Sequence, residues 1–384
     1  MAQLEIRSHR GFRLAERLLR LDWLLVVLVC ALGAVGIGML ISAAGGTTEP
    51  WAARQIVWFG AGLVVMLAVA VIDIGFWLRA AYTIYGLAFI LLVSVELLGA
   101  AVMGAQRWID IGVIQLQPSE LMKIALVLAL ARYFHGIPLD ALGRIRIYIP
   151  PLLMILAPAA LILRQPDLGT ALLLALGGGI MLFLAGLKAW KMGVAVAVVL
   201  GSGPVVWQFL HDYQKARILT FFDPEADPLG AGYHILQSKI ALGSGGLFGK
   251  GYLQGTQSHL NFLPEKQTDF IFTMMAEELG FFGVTGVLLL YLAIATYGVV
   301  ISSRSNNHFG RLLGMGMTVT FFFHVFFNVA MVIGLIPIVG LPLPLISYGG
   351  SAMLSLMLGL GLLLCVGVHR DVVISRRPAG GGSP

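Results

Sequence analysis

Charge is scarce in this sequence. Charged residues make up 11% of the 384 residues and apolar residues 58%, whereas a typical soluble domain carries about 25% charged residues. A soluble fold would leave much of that apolar surface in water, so we exclude a soluble globular protein and expect lipid to be the solvent. Cysteine is nearly absent too. Cys30 and Cys365 both fall inside apolar runs, which excludes a disulfide framework.

We expect neither a nucleic-acid-binding basic patch nor a cleavable signal sequence. The net charge is +6, but the basic residues are spread among short loops, so we expect no nucleic acid partner. The first apolar run, residues 24–44, is long enough to span a bilayer and is predicted to be an uncleaved anchor.

Apolar windows of spanning length follow one another along the chain. Backbone groups in hydrocarbon must pair within their own segment, so each window is predicted to be a helix. The 48 glycines suit close helix packing. We therefore predict an all-α integral membrane protein with about ten transmembrane helices, at residues 23–44, 56–76, 80–101, 119–136, 148–164, 168–187, 190–210, 270–301, 312–335 and 348–368.

Basic residues predict the orientation of these helices. The N-terminal arm, residues 1–22, carries five arginines, and the positive-inside rule places it in the cytoplasm. Ten spans return the tail, residues 369–384, to the same side, and its low complexity predicts disorder. One membrane domain, residues 23–368, lies between them.

A long polar outer loop, residues 211–269, separates the seventh and eighth spans. Loops of this length are uncommon unless they are functional. Residues 233–242 resemble a short amphipathic helix in the interface plane, with Ile235, Leu236 and Ile240 toward lipid. Eight glycines punctuate the loop; they allow close approach to a ligand, or they only form turns.

Ionisable side chains at span ends are functional candidates in a membrane protein. Several predicted spans deliver them to the outer side. They are Arg107, Asp110, Glu120, Lys123, Arg164, Asp167, Asp269, Glu277 and Glu278.

Simpler interpretations exist for three pairs. Glu120 and Lys123 share one helix face and neutralise one another, or they belong to a site. Arg164 and Asp167 are predicted to form an interfacial ion pair that fixes a turn. His324 and Asn328, four residues apart, are predicted to form an interhelical hydrogen-bonding stripe.

The last span begins with a helix N-terminus that faces outward. Ser347 is predicted to cap this helix, which leaves free N–H groups for an anion. Beside Arg107 and Lys123, such a terminus would suit a phosphate.

Several ordered motifs resemble the SEDS family, the polytopic proteins of bacterial shape, elongation, division and sporulation. They lie at residues 107–112, 117–123, 165–170, 232–238, 263–272, 277–280 and 342–351. The similarity covers nearly the whole chain after about residue 24, and residues 223–233 and 249–258 are similar to the elongation branch of the family. One position departs from the family, which commonly has histidine where this chain has Gln267. We therefore expect no proton transfer at Gln267.

The resemblance implies a peptidoglycan glycosyltransferase that acts during cell elongation. Such enzymes polymerise lipid II, a disaccharide-pentapeptide on undecaprenyl diphosphate, at the periplasmic face of the bacterial inner membrane. The family's catalytic aspartate corresponds to Asp269. The implied partners are a class B penicillin-binding protein, which supplies the transpeptidase, and other membrane proteins of the elongation complex.

We expect the substrate site around Asp269, as a general base at the membrane edge. Arg107 and Lys123 would balance the charge of the diphosphate leaving group. The other predicted substrate-binding residues are Glu120, Gln237, Ser238, Glu265, Thr268, Ser347, Gly349, Gly350 and Ser351.

A divalent cation, Mg or Mn, is the candidate cofactor. Glu277 and Glu278 are its candidate ligands. Alternatively these two carboxylates and Glu120 orient Lys123.

Two other functions stay open. A lipid II flippase would place its site near the bilayer midplane, often on repeated helices. Here the charged groups crowd the outer end and no internal repeat is visible, which favours chemistry over transport. A scaffold for elongation proteins would not require Asp269.

Overall fold

Helices dominate the computed structural model. It describes residues 6–7, 14–98, 100–102, 105–110, 115–201, 207–208, 212–224, 231–256 and 265–374. The helices of these residues are α1 (Leu14–Leu19), α2 (Trp23–Ala43), α3 (Ala52–Val71), α4 (Ile74–Leu98), α5 (Pro118–His135), α6 (Ile149–Arg164), α7 (Leu168–Leu184), α8 (Ala189–Gly201), α9 (Asp212–Phe222), α10 (Ala231–Ser244), α11 (Ile271–Ser303), α12 (His308–Val332) and α13 (Gly350–Val368).

Each of the ten predicted windows lies mainly on one helix, α2 to α8 or α11 to α13. The predicted all-α membrane fold is therefore confirmed. Seven stretches of the described residues are long and apolar enough to cross a membrane. They are Trp23–Ala43, Ala52–Val71, Ile74–Val95, Ile145–Arg164, Ile271–Ser303, His308–Val332 and Gly350–Val368. The helices α7 and α8 are shorter and also apolar.

The helix α5 lies at the centre of the bundle. It packs against α4, α6, α7, α12 and α13, and nearly all its side chains are buried, including Glu120 and Lys123. Its N-terminal residues Gln117 and Pro118 set the start of the helix, because proline at the first helical position loses no hydrogen bond. Glu120 and Lys123 therefore face protein and not lipid.

A small antiparallel sheet fills the loop between α4 and α5, and the sequence did not predict it. Its order is β2 (Ala100–Val102), β3 (Ala105–Asp110) and β4 (Gln115–Leu116). Strands of two to six residues are too short to give a period that can be told from the end of an apolar run. The sheet matters because Arg107 lies on β3.

The long loop that precedes α11 is structured where it is described, with α9 and α10 in it. The predicted amphipathic helix corresponds to α10, which packs on α11 and α12. Ile240 is exposed, as predicted, but Ile235 is buried at 6% exposure. The prediction that Ile235 faces lipid is wrong, because this face of α10 lies against α11.

The glycines after α10 let the loop backbone approach α11 closely. The helix α11 is broken at Gly280 (φ 67°, ψ −170°), and the broken turn leaves backbone groups free. Lys250 N–H donates to the Glu277 carbonyl at 3.0 Å, and Phe281 N–H donates to the Gly246 carbonyl at 2.9 Å. A β-carbon at Gly249 would lie 2.1 Å from the Glu278 carbonyl oxygen. The loop backbone thus completes the hydrogen bonds of the broken helix.

The two ends of the chain meet. The strand β1 (Ile6–Arg7) pairs antiparallel with β5 (Val373–Ile374), and Ile374 is buried at 4% exposure. Asn307 also donates to the carbonyl of Val372 at 3.1 Å. Disorder was predicted for the whole tail, but residues 369–374 are ordered because they pack and pair with the N-terminal arm. Residues 375–384 lie outside the described residues.

Candidate active site

A cavity of about 1140 Å³ opens between α3, α5, α7 and the segment that precedes α13. We call it the central cavity. Its wall combines positive, negative and aromatic side chains. These are Arg54, Arg107, Arg217, Glu120, Asp167, Glu265, Asp269, Trp51, Trp58, Trp108 and Tyr348. A wall of this composition suits a substrate that carries both sugars and phosphate.

Asp269 lies on this wall, two residues before α11 begins. Its side chain is half-buried, and no hydrogen bond to its carboxylate is formed within the described part of the chain. Burial, and next the nearby Glu265 carboxylate, raise the pKa of Asp269 from 3.8 to about 6. The carboxylate is therefore available to take a proton near neutral pH.

The backbone around Asp269 is held from several sides. Thr268 N–H donates to the Glu265 carbonyl at 3.0 Å, which closes a tight turn. The Ser347 hydroxyl donates to the Thr268 carbonyl at 2.6 Å, and Tyr348 N–H donates to the Gln267 carbonyl at 2.9 Å. The turn that carries Asp269 is thus latched to the segment before α13.

Arg107 also lies on the cavity wall, as predicted. Its Nε donates to the Gln165 carbonyl at 2.9 Å, and its Nη2 donates to the Pro166 carbonyl. These acceptors are neutral, so the guanidinium charge is oriented without being cancelled. Arg107 can therefore present positive charge to an anion in the cavity.

Glu120 and Lys123 form the buried ion pair that was the simpler interpretation. Lys123 Nζ lies 2.7 Å from Glu120 Oε1 and 2.7 Å from His324 Nε2. The Ser355 hydroxyl donates to Glu120 Oε2 at 2.8 Å. Glu120 lines the central cavity, whereas Lys123, at 4% exposure, lies off its wall. The structure brings Glu120 to Asp269 but does not bring Lys123 there.

The predicted Arg164–Asp167 ion pair is wrong for the described residues. Asp167 instead caps α7 by accepting from Thr170 N–H at 3.2 Å, and it accepts from Gln117 Nε2 at 3.2 Å. Arg164 is exposed. A capping carboxylate is fixed by its helix, which is why Asp167 turns into the cavity and away from Arg164.

The predicted His324–Asn328 stripe is confirmed as an interhelical hydrogen-bonding surface. His324 on α12 meets Lys123 on α5 at 2.7 Å. Asn328 Nδ2 donates to the carbonyls of Asp269 at 3.0 Å and Leu341 at 2.7 Å. The stripe thus reaches the turn that carries Asp269.

The N-terminus of α13 faces the central cavity, but Ser347 does not cap it. The capping position is Gly349, without a side-chain cap, because the Ser347 hydroxyl is engaged by Leu343 N–H at 2.7 Å and by Thr268. Gly349, Gly350 and Ser351 line the cavity, as do Glu265 and Thr268. The free N–H groups of this terminus can meet an anion.

Two predicted substrate-binding residues lie on α10, away from the central cavity. Ser238 is buried at 1% exposure, and its hydroxyl donates to the Val332 carbonyl at 2.8 Å and lies 2.9 Å from Thr273 Oγ1. Gln237 is half-buried beside it. Ser238 thus holds α10 in the bundle.

Glu277 and Glu278 do not form one metal site. Glu277 pairs with Lys250 at 2.7 Å and accepts from Thr256 N–H at 2.9 Å. Glu278 accepts from the Ser42 hydroxyl at 2.6 and 2.7 Å. The described residues contain no cluster of three or more side chains that would hold a metal ion. These carboxylates therefore do not fit a shared cation.

Sequence reasoning missed Arg54 and Arg217. Arg54 lies in the first turn of α3, and an ionisable residue at the start of a span was a signal for it. Arg217 lies within the long polar loop, and it lines the cavity and donates to the Ile338 carbonyl at 3.3 Å. Only the fold shows that α9 brings it to Asp269.

Comparisons with known proteins agree with the family resemblance of the sequence motifs. The family described as cell cycle protein, FtsW/RodA/SpoVE, matches residues 19–372. The peptidoglycan glycosyltransferase MrdB of Escherichia coli K12 is 45% identical over 344 residues, 87% of this chain and 90% of that protein. The peptidoglycan glycosyltransferase RodA of Treponema pallidum is 33% identical and covers 91% of this chain and 98% of its own.

Solved structures show the same architecture. A chain of a peptidoglycan synthase complex, described as coordinating polymerization and crosslinking, superposes with a TM-score of 0.80 at 35% identity, over 91% of this chain and 98% of that one. The rod shape determining protein RodA of Thermus thermophilus superposes with a TM-score of 0.69 at 32% identity, over 91% and 97%.

Proposed function

The chain belongs to the SEDS family of FtsW, RodA and SpoVE proteins and is a peptidoglycan glycosyltransferase; from that premise we propose that it polymerises lipid II with Asp269 as the general base. One observation carries the proposal. The Asp269 carboxylate is half-buried on the wall of the central cavity, without a hydrogen bond among the described residues, and its pKa is raised to about 6. A base with a pKa near the working pH is the most effective.

The reaction needs one proton transfer at Asp269. The carboxylate takes the proton of the acceptor sugar hydroxyl while that oxygen forms a bond to the anomeric carbon of the donor. The bond from the anomeric carbon to the phosphate oxygen breaks, and its electron pair leaves with the lipid diphosphate. A single displacement of this kind inverts the anomeric carbon.

The leaving group needs positive charge and not an acid. The guanidinium groups of Arg54, Arg107 and Arg217 lie on the same wall as Asp269. Together with the N–H groups at the start of α13 they would balance the diphosphate as its charge develops. The faces of Trp58 and Trp108 would pack against sugar rings on the same wall.

The cellular setting follows from the family. We propose that the chain lies in the bacterial inner membrane with both termini in the cytoplasm and the central cavity toward the periplasm. A class B penicillin-binding protein would supply crosslinking, since a similar structure belongs to a synthase complex. The relatives are named for glycosyl transfer, which favours this reaction over lipid II transport.

The test uses purified protein in complex with its penicillin-binding partner and labelled lipid II. Asp269→Asn should lower glycan strand formation by at least about 100-fold, because the amide cannot accept the proton. Asp140→Asn, which changes an exposed carboxylate in the loop between α5 and α6, is the matched control and should polymerise normally. Polymerisation by Asp269→Asn at the rate of this control would rule out the general base.

A further inference from the structure

A residue of α12 holds the backbone at Asp269 in place. Asn328 on α12 is fully buried, and its Nδ2 donates to the Asp269 carbonyl at 3.0 Å and to the Leu341 carbonyl at 2.7 Å. Carbonyl oxygens only accept, so the side-chain nitrogen must face them and the amide orientation is fixed. One amide therefore ties the turn that carries Asp269 to the segment before α13.

The hydrogen bond from Asn328 to Leu341 also fixes the backbone that faces the Asp269 carboxylate. Leu341 follows Gly340, and a β-carbon at Gly340 would lie 3.5 Å from Asp269 Oδ2. Gly340 has φ +69°, a conformation that favours glycine. Asn328 thus holds the backbone that carries the carboxylate and the backbone next to Gly340, which faces it, although Asn328 does not itself line the central cavity.

The other end of the amide lacks a partner in the described part of the chain. Asn328 Oδ1 is buried without a hydrogen bond, and so is His324 Nδ1, four residues earlier on the same face of α12. His324 Nε2 lies 2.7 Å from Lys123 Nζ. An ammonium only donates, so Nε2 accepts and Nδ1 carries the ring proton. A buried donor and a buried acceptor therefore stand one turn apart.

Neither of these two atoms has surface open to a water molecule, and the small cavity lined by His324, Glu120 and Ser347 does not include Asn328. Within the described residues, the hydrogen bonds of the Asn328 amide are therefore the two that it donates to Asp269 and Leu341.

We propose that Asn328 is a positioning residue for Asp269. The inference rests on the proposed role of Asp269 as general base. Since Asn328 acts through Asp269 and not on substrate, its loss should lower kcat and leave KM nearly unchanged.

The first test compares Asn328→Ala and the isosteric Asn328→Asp with Thr320→Val in the polymerisation assay. Thr320 lies on the same helix, and its hydroxyl only returns to the Gly316 carbonyl at 2.9 Å. Both Asn328 variants should lose about 100-fold in kcat, since a base displaced by about 1 Å can cost that much. KM for lipid II should stay within about twofold, and Thr320→Val should match the wild type.

The pH profile separates positioning from a general loss of structure. In Asn328→Ala the acid limb should move to lower pH, because a freed Asp269 gains water. The charged groups that face Asp269 are Glu265, Arg217, Asp167 and Arg107, and all are unchanged in this variant. If the maximal rate of Asn328→Ala fell while the acid limb of its pH profile stayed at the wild-type pH, the variant would only have a smaller folded fraction. That result would overturn the inference.

Failure of the base and failure of the positioning role have different outcomes. Activity in Asp269→Asn would reject the general base. An inactive Asp269→Asn together with Asn328 variants that behave like Thr320→Val would reject only the positioning role.

Discussion

Asp269 and the pair Glu277–Glu278 lie about two helical turns apart, and the fold treats their carboxylates in opposite ways. Glu277 and Glu278 are almost fully buried, at 0% and 1% exposure, and each is bound by donors. Asp269 keeps partial exposure and an open carboxylate. Buried acids beside an active site are thus of two kinds, those that hold the structure and one that is left reactive.

The two kinds of acid differ in how far neighbouring groups compensate the negative charge of the carboxylate. Lys250 neutralises Glu277, and the Ser42 hydroxyl bonds both oxygens of Glu278. Around Asp269, burial and the Glu265 carboxylate oppose the charge more than Arg217 and Arg107 support it, so its pKa is raised. Sequence position does not distinguish these acids; their partners do.

The largest expected effect is the pH dependence of polymerisation. Asp269 must be ionised to accept a proton, so activity should reach a plateau above pH 7 and fall to half near pH 6. Below about pH 5 it should fall roughly tenfold for each pH unit. The measurement is the initial rate on lipid II between pH 4 and 8, at about saturating substrate. A polymerisation rate that stays constant down to pH 4 would show that a group other than Asp269 accepts the proton.

The helices and the position of Asp269 were predictable from the sequence, and the partners of the acids were not. Apolar length alone located the spanning helices, because lipid allows little else. The partner of Glu277 is Lys250, 27 residues earlier in the chain, and only the break at Gly280 explains why that loop lies there. The hydroxyl of Ser347 was predicted to cap a helix, but tertiary contacts took it. Predicted roles that depend on a distant partner were the ones that changed.

The second prediction concerns Lys250. Lys250→Met leaves Glu277 buried without its counterion and should destabilise the protein by about 3 kcal/mol. Polymerisation per folded molecule should stay within about twofold of the wild type, because neither residue lines the central cavity. The measurement is thermal unfolding in detergent, with Lys250→Arg as the control that keeps the charge. If Lys250→Met were as stable as this control, the contrast between Glu277, whose carboxylate depends on a donor, and Asp269, whose carboxylate does not, would be lost.

Ser42 should show a smaller effect. Ser42→Ala removes the hydroxyl bound to Glu278 and should cost about 1.5 kcal/mol, the usual range for a hydrogen bond to a charged group. Ser303→Ala, an exposed serine on α11 whose hydroxyl bonds only its own helix, is the matched control. Equal thermal unfolding of both variants would show that Glu278 does not depend on Ser42.

The smallest expected effect is a gain in stability, and it concerns Asp269 itself. The folded-state pKa is raised above the ordinary 3.8, so the folded state resists ionisation and ionised Asp269 destabilises it. This destabilisation appears as the pH rises through 3.8 and is complete above about 6. Asp269→Asn removes it and should therefore be more stable than the wild type at pH 8 by about 1 kcal/mol, after allowance for partial exposure. At pH 4 the difference should nearly vanish. An Asp269→Asn protein less stable than the wild type at pH 8 would mean that the carboxylate is a structural group like Glu277, and the contrast between the two regions would fail.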